Sequence, residues 1–191
     1  MTLPLHYLNH SPGCTVEITP TGCVLDARAL RADGVCGMAL AGTKRFALPD
    51  SELDAVRFVA EATWREPGKA GVGYAGPWLG IRPGFRQDES HYPFWTWRIT
   101  MDGRIEFCQI TGGEKEHQEI IAISSMEGER PGQEHQRWHI SAWLDKPRAW
   151  TVVALGLGAA HVGTYPLPLA THLRVLPYAE DARVEWEVSR G

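Results

Sequence analysis

Residues 94–110 read FWTWRITMDGRIEFCQI, and the reading of this stretch decides the fold class. Asp102 and Gly103 are the pair most favoured in a two-residue type I′ hairpin turn, where both central positions need a positive φ. The flanks are β-prone, aromatic and β-branched from Phe94 to Thr100 and again from Arg104 to Ile110. An antiparallel hairpin is therefore predicted here.

Working outward, the same alternation recurs. Residues 137–144 put Trp138, Ile140, Ala142 and Leu144 on one face, with Arg137, His139, Ser141 and Trp143 on the other. Residues 182–189 place Val184, Trp186 and Val188 inward and Arg183, Glu185 and Glu187 outward. Residues 149–155 are apolar on both sides, as in a buried strand, and 173–176 form a short one. Near the start, 15–19 and 22–26 make a first pair around Pro20. Residues 51–65 read two ways. Ser51 to Asp54 resembles a helix capping box. With period two, Val56, Phe58, Ala60, Ala62 and Trp64 share a face against Arg57, Glu61, Thr63 and Arg65. The strand, from about Ala55 to Arg65, is the reading adopted.

The 20 glycines and 13 prolines punctuate the chain often enough to disfavour long helices. The expected class is all-β, an antiparallel sandwich with at most one or two short helices. At 191 residues, with no internal repeat or linker, residues 1–191 are expected to form a single domain. A formal charge of −4 argues against nucleic acid or an anionic membrane as the main partner, while leaving room for a local basic patch. No apolar run is long enough to span a bilayer. The N-terminus lacks a basic segment followed by an apolar one, so the default expectation is cytoplasmic, although a mature secreted chain would look the same. Cys14, Cys23, Cys36 and Cys108 have no zinc-type spacing. Buried thiols are the preferred reading, with a Cys14–Cys23 disulfide as the alternative.

The order of elements resembles the concanavalin A-like lectin/glucanase superfamily. The resemblance runs from the Ala55–Arg65 strand through Gly71–Gly76 and Leu79–Arg82, the aromatic strand and the Asp102-Gly103 hairpin. It closes with 173–178 and 184–188, and covers roughly Phe46 to Ser189. It implies two curved antiparallel sheets in a jelly roll and a carbohydrate as ligand. The sequence departs from the family's hydrolases in lacking their E-x-D-x-x-E strand, and the lyase-type R-x-E-x-R does not fit Glu61 and Arg65. No catalytic apparatus is carried over, and a fold alone does not assign a function.

On strand parity, the non-core faces carry Arg57, Glu61, Arg65, Tyr92, Thr96, Arg98, Glu106, His139, Ser141 and Trp143. Aromatic rings that stack on sugars, beside charged groups that bind hydroxyls, would make a groove of these; a plainly solvated face is the competing reading. Arg57, Arg65, Tyr92, Arg98, His139 and Trp143 are the candidate substrate-binding residues. Glu61 and Glu106 are the candidate catalytic pair, since glycoside hydrolysis needs two carboxyl groups about 5–9.5 Å apart. Asp88 and Glu89 would sit at a groove mouth. No cofactor or metal is expected. His135 and His139 have i, i+4 spacing but no third ligand, and with Asn9 the sole asparagine a lectin-type calcium loop is disfavoured. The alternative function is a small-molecule cyclase or isomerase with an aromatic pocket in a calycin-type barrel. A module without a small ligand is a third.

Overall fold

The computed structural model describes residues 1–47, 57–70, 76–84, 94–99, 104–111, 117–125, 136–146, 149–156, 159–166 and 172–190. The decisive stretch is a pair of antiparallel strands, β8 (Phe94–Ile99) and β9 (Arg104–Thr111). Ile99 pairs with Ile105 and Arg98 with Glu106. This leaves an odd number of residues between paired positions, whereas a two-residue turn at 102–103 would have paired Ile99 with Glu106. Odd-length hairpin connections are the next most common class, and the one-residue difference decides which side chains share a face. The turn residues themselves lie outside the described residues, as do the capping-box positions 51–54.

The strands form two sheets, and every ladder is antiparallel. Sheet I contains β1 (Leu5–His10), β4 (Met38–Thr43), β5 (Phe46–Ala47), β7 (Gly76–Gly84), β8, β9, β10 (His117–Ser125) and β14 (His172–Glu180). Its order is β1-β4-β14-β7-β8-β9-β10, with the short β5 beside β14. Sheet II contains β2 (Thr15–Ile18), β3 (Gly22–Asp26), β6 (Arg57–Pro67), β11 (Gln136–Lys146), β12 (Ala149–Gly156), β13 (Ala159–Pro166) and β15 (Ala182–Arg190). Its order is β13-β12-β11-β6-β15-β3-β2. Each sheet is open at both ends, so the architecture is a sandwich and not a closed barrel. No helix occurs among the described residues, hence none long and apolar enough to cross a membrane.

Burial follows the pleat. On sheet II, Ala60, Ala62 and Trp64 of β6, Val184, Trp186 and Val188 of β15, and Leu25 of β3 point inward and are buried. On sheet I the inward set is Ala39 and Ala41 of β4, Leu79 of β7, and Val175 and Ala179 of β14. Trp186 also joins the layers, since its indole N–H donates to the Tyr178 carbonyl at 3.2 Å. The two sheets meet again at Asp181, the turn residue between β14 and β15, held at a φ of 42°. Its carboxylate is buried and accepts from the Ala70 N–H at 3.1 Å, and its own N–H donates to the Gly37 carbonyl at 3.1 Å. All four cysteines are buried thiols. Burial pushes Cys23 up to about 12, well above the ordinary thiol range.

Candidate functional site

The outward face of sheet I holds an anomaly. Along β14, Val175, Pro177 and Ala179 face the core, so Arg174, Leu176, Tyr178 and Glu180 belong to the opposite face. The registers carry that face across the sheet in rows. One row runs Tyr178, Trp78, Arg98, Glu106 and Ile123; the next runs Leu176, Gly80, Thr96, Cys108 and Ile120. Thr96, Glu106 and Cys108 thus stand on the side turned away from the core, yet their exposures are only 3%, 2% and 0%. This outward face is therefore recessed at β8 and β9.

A recess that holds a carboxyl group and a hydroxyl has a cost unless both find partners. Glu106 has an interaction partner. The Thr96 hydroxyl is withdrawn from solvent and has none. A buried donor-acceptor of this kind loses about 1–3 kcal/mol until something bonds it. Gly80, its neighbour in the row, adds no side chain; a Cβ there would lie 3.0 Å from that of Leu176. Gly80 is itself buried, and its missing side chain lets Leu176 pack against the β7 backbone beside Thr96.

The outward face of sheet II is different in kind. Glu61 stands opposite His139 on β11 and opposite Glu187 on β15, and Arg57 stands opposite Trp143. Thr63 is partly exposed and Glu187 is exposed. Arg65 donates to Glu185 at 2.6 Å across a half-exposed surface, and this hydrogen bond holds the guanidinium pKa up. Exposed pairs of this sort contribute about 0–1 kcal/mol.

The candidate residues therefore fall into two groups. Arg57, Glu61, Arg65, His139 and Trp143 share the outward face of sheet II. Arg98 and Glu106 share that of sheet I. Glu61 and Glu106 were expected to act as a pair, but they stand in different sheets on faces turned away from each other, with the core between. They cannot flank one glycosidic bond. Parity had correctly put each on a non-core face, but parity does not say which sheet a strand joins. Tyr92, Asp88, Glu89 and His135 lie outside the described residues. Among the described residues no cluster of three or more metal-ligating side chains occurs. Sequence reasoning missed Glu187, the carboxylate that does oppose Glu61, and it missed Trp78 and Tyr178 in the Arg98 row. Their signal was only a strand parity that becomes readable once the register is known.

Comparison with solved structures gives the fold its name. The lectin from Bauhinia forficata in complex with GalNAc superposes with a TM-score of 0.54 at 12% identity, over 100% of this chain and 97% of that one. The fold is the concanavalin A-like jelly roll. Arcelin-5, a lectin-like defence protein from Phaseolus vulgaris, gives 0.53 at 10% identity over 100% and 99% of the two chains. The Lotus tetragonolobus seed lectin gives 0.52 at 9% identity over 100% and 98%. No protein-family model matches the chain, and a comparison with curated proteins finds no match. At such identities the jelly roll is shared, and side chains are not transferable between the proteins.

Proposed function

We propose that the protein binds glycans through the outward face of sheet I, along the row of Tyr178, Trp78, Arg98 and Glu106 and the adjoining Thr96. The observation that carries the reading is the burial of Thr96 and Glu106 on a face that points away from the core, with a hydroxyl left unbonded. Sugar hydroxyls are donors and acceptors at once, so they suit a recess that offers a carboxylate, a guanidinium-bearing strand and a lone hydroxyl. Aromatic residues in the same row suit the apolar face of a pyranose. The similar lectins support the ligand class by analogy of fold.

The reading is binding and not cleavage. Glu61 stands on the other face, so among the described residues it does not give Glu106 the second carboxyl group that hydrolysis by a pair requires. The outward face of sheet II, with Arg57, Arg65, His139 and Trp143, is read as an ordinary solvated face.

The test is a thermal-shift panel of neutral and acidic oligosaccharides, divalent metals with and without chelator, and apolar metabolites. A ligand at a hundred times its Kd stabilises the native state by about 2.7 kcal/mol. Stabilisation by a glycan series, abolished in Glu106→Gln, is the expected result. Stabilisation by apolar compounds alone, or by nothing in the panel, would remove the glycan reading.

A further inference from the structure

One end of the same face carries a concentration of positive charge in a chain whose formal charge is −4. Arg174 of β14 stands directly opposite Arg82 of β7. The Thr43 hydroxyl accepts from the Val175 N–H at 3.1 Å, and Phe46 pairs with Leu173. Lys44 and Arg45 thus connect two segments that both lie along β14, on either side of Arg174. His6 pairs with Gly42, two positions before Lys44, and a Cβ on Gly42 would meet the outward-facing Leu176. Five cationic or potentially cationic residues therefore converge on this end of sheet I.

Among the described residues nothing neutralises Arg174, the centre of this group: no carboxylate pairs with it, and its Nε is withdrawn from solvent without a hydrogen-bond partner. Burial, and after it the charges of Arg174 and Lys44, hold the His6 imidazole below its ordinary pKa. Burial first and Arg45 second lower that of Arg174. Like charges directly opposite across a ladder destabilise it. A bound anion would relieve that repulsion, and a guanidinium fork fits carboxylate or sulfate oxygens.

The Arg174 row lies one row beyond Leu176, Gly80 and Thr96, about 7 Å along the strands from it. We infer that Arg174, with Lys44, Arg45, His6 and Arg82 around it, forms an anion subsite at the end of the glycan face, taking the carboxylate or sulfate of an acidic oligosaccharide. The inference rests on the proposed glycan site for its ligand, but the subsite can be tested without it.

The experiment uses the full chain and matched acidic and neutral probes. One pair is a galacturonate tetramer and its methyl ester; another is a sulfated galactan oligosaccharide and its desulfated form; inorganic sulfate is the separate arm. At low salt, at least one acidic form is expected to bind roughly tenfold tighter than its neutral partner. That gap is expected to close in Arg174→Gln, to narrow in Lys44→Gln, and to shrink as salt screens the charges. Lys44 is exposed, so its variant keeps the test interpretable if Arg174→Gln fails to fold. The pair that shows the gap tells carboxylate from sulfate. Stabilisation of the wild type, but not of Arg174→Gln, by inorganic sulfate without binding of any oligosaccharide supports the subsite and removes only the glycan reading. Equal binding of acidic and neutral forms, or a gap undiminished in both variants, overturns the inference.

Discussion

The two outward faces of this sandwich are built from strands of the same kind, but among the described residues the buried polar side chains on such a face, Thr96 and Glu106, belong to sheet I. On sheet II, Thr63, Glu61 and Arg65 meet solvent in part, and Arg65 is occupied by Glu185. On sheet I, Thr96 and Glu106 are as inaccessible as the core, and the Thr96 hydroxyl is unbonded. The difference teaches that alternation finds the non-core face of a strand, whereas burial on that face shows where the face is recessed, which alternation does not tell. Polar burial has a free-energy cost that an ordinary solvated face never bears.

The largest expected effect strikes both faces together. Trp186→Ala removes a side chain buried between the layers and its bond to Tyr178, and should cost about 3–5 kcal/mol in urea unfolding. A cost under about 1 kcal/mol would mean that the sheets are not held by this contact. Next comes the comparison itself. Glu106→Gln should weaken glycan affinity by roughly tenfold or more, whereas Glu61→Gln should change it less than about twofold. Titration calorimetry of both variants decides, and the reverse order would exchange the roles of the faces.

A smaller contrast concerns stability. Thr96→Val replaces an unbonded buried hydroxyl with a methyl of similar shape. It should stabilise the ligand-free protein by about 1 kcal/mol while weakening binding. Thr63→Val on the partly exposed face should stay within about 0.5 kcal/mol. A destabilised Thr96→Val variant would show that its hydroxyl is already satisfied. The smallest effect belongs to Arg65 and Glu185. Their coupling in a double-mutant cycle should be about 0–1 kcal/mol and should fade with added salt. A coupling well above that range would make the sheet II face more than a solvated surface.

Much of the fold was legible because apolar and polar residues alternate without interruption where one face is buried. Residues 182–189 show this, as do 57–65 apart from the outward Val59, and the structure bears out Val184, Trp186 and Val188 as inward. The pairing of 15–18 with 22–26 also followed from its turn signal. Other strands carried little signal. In β4 small residues, Ala39 and Ala41, stand where bulky inward ones would announce a strand. In β10 a register shift between Ile120 and Ala122 breaks the period. The candidate site was legible only by halves. Each residue's face could be read from parity, but the sheet that a strand joins depends on long-range pairing, and no local pattern encodes it. That is why Glu61 and Glu106 were grouped although the core separates them. The basic end of sheet I escaped for the same reason, since Lys44, Arg82 and Arg174 are far apart in sequence and meet only through β14.

Hydrogen exchange with and without the tightest-binding oligosaccharide of the panel tests the central claim most directly. The account predicts slowed exchange confined to sheet I, at β7, β8, β9 and β14 and, with an acidic ligand, at residues 44–45 and β1, with β6, β11 and β15 unchanged. Protection centred on β6 and β11, around Glu61 and His139, would contradict it and move the site to the other side of the sandwich.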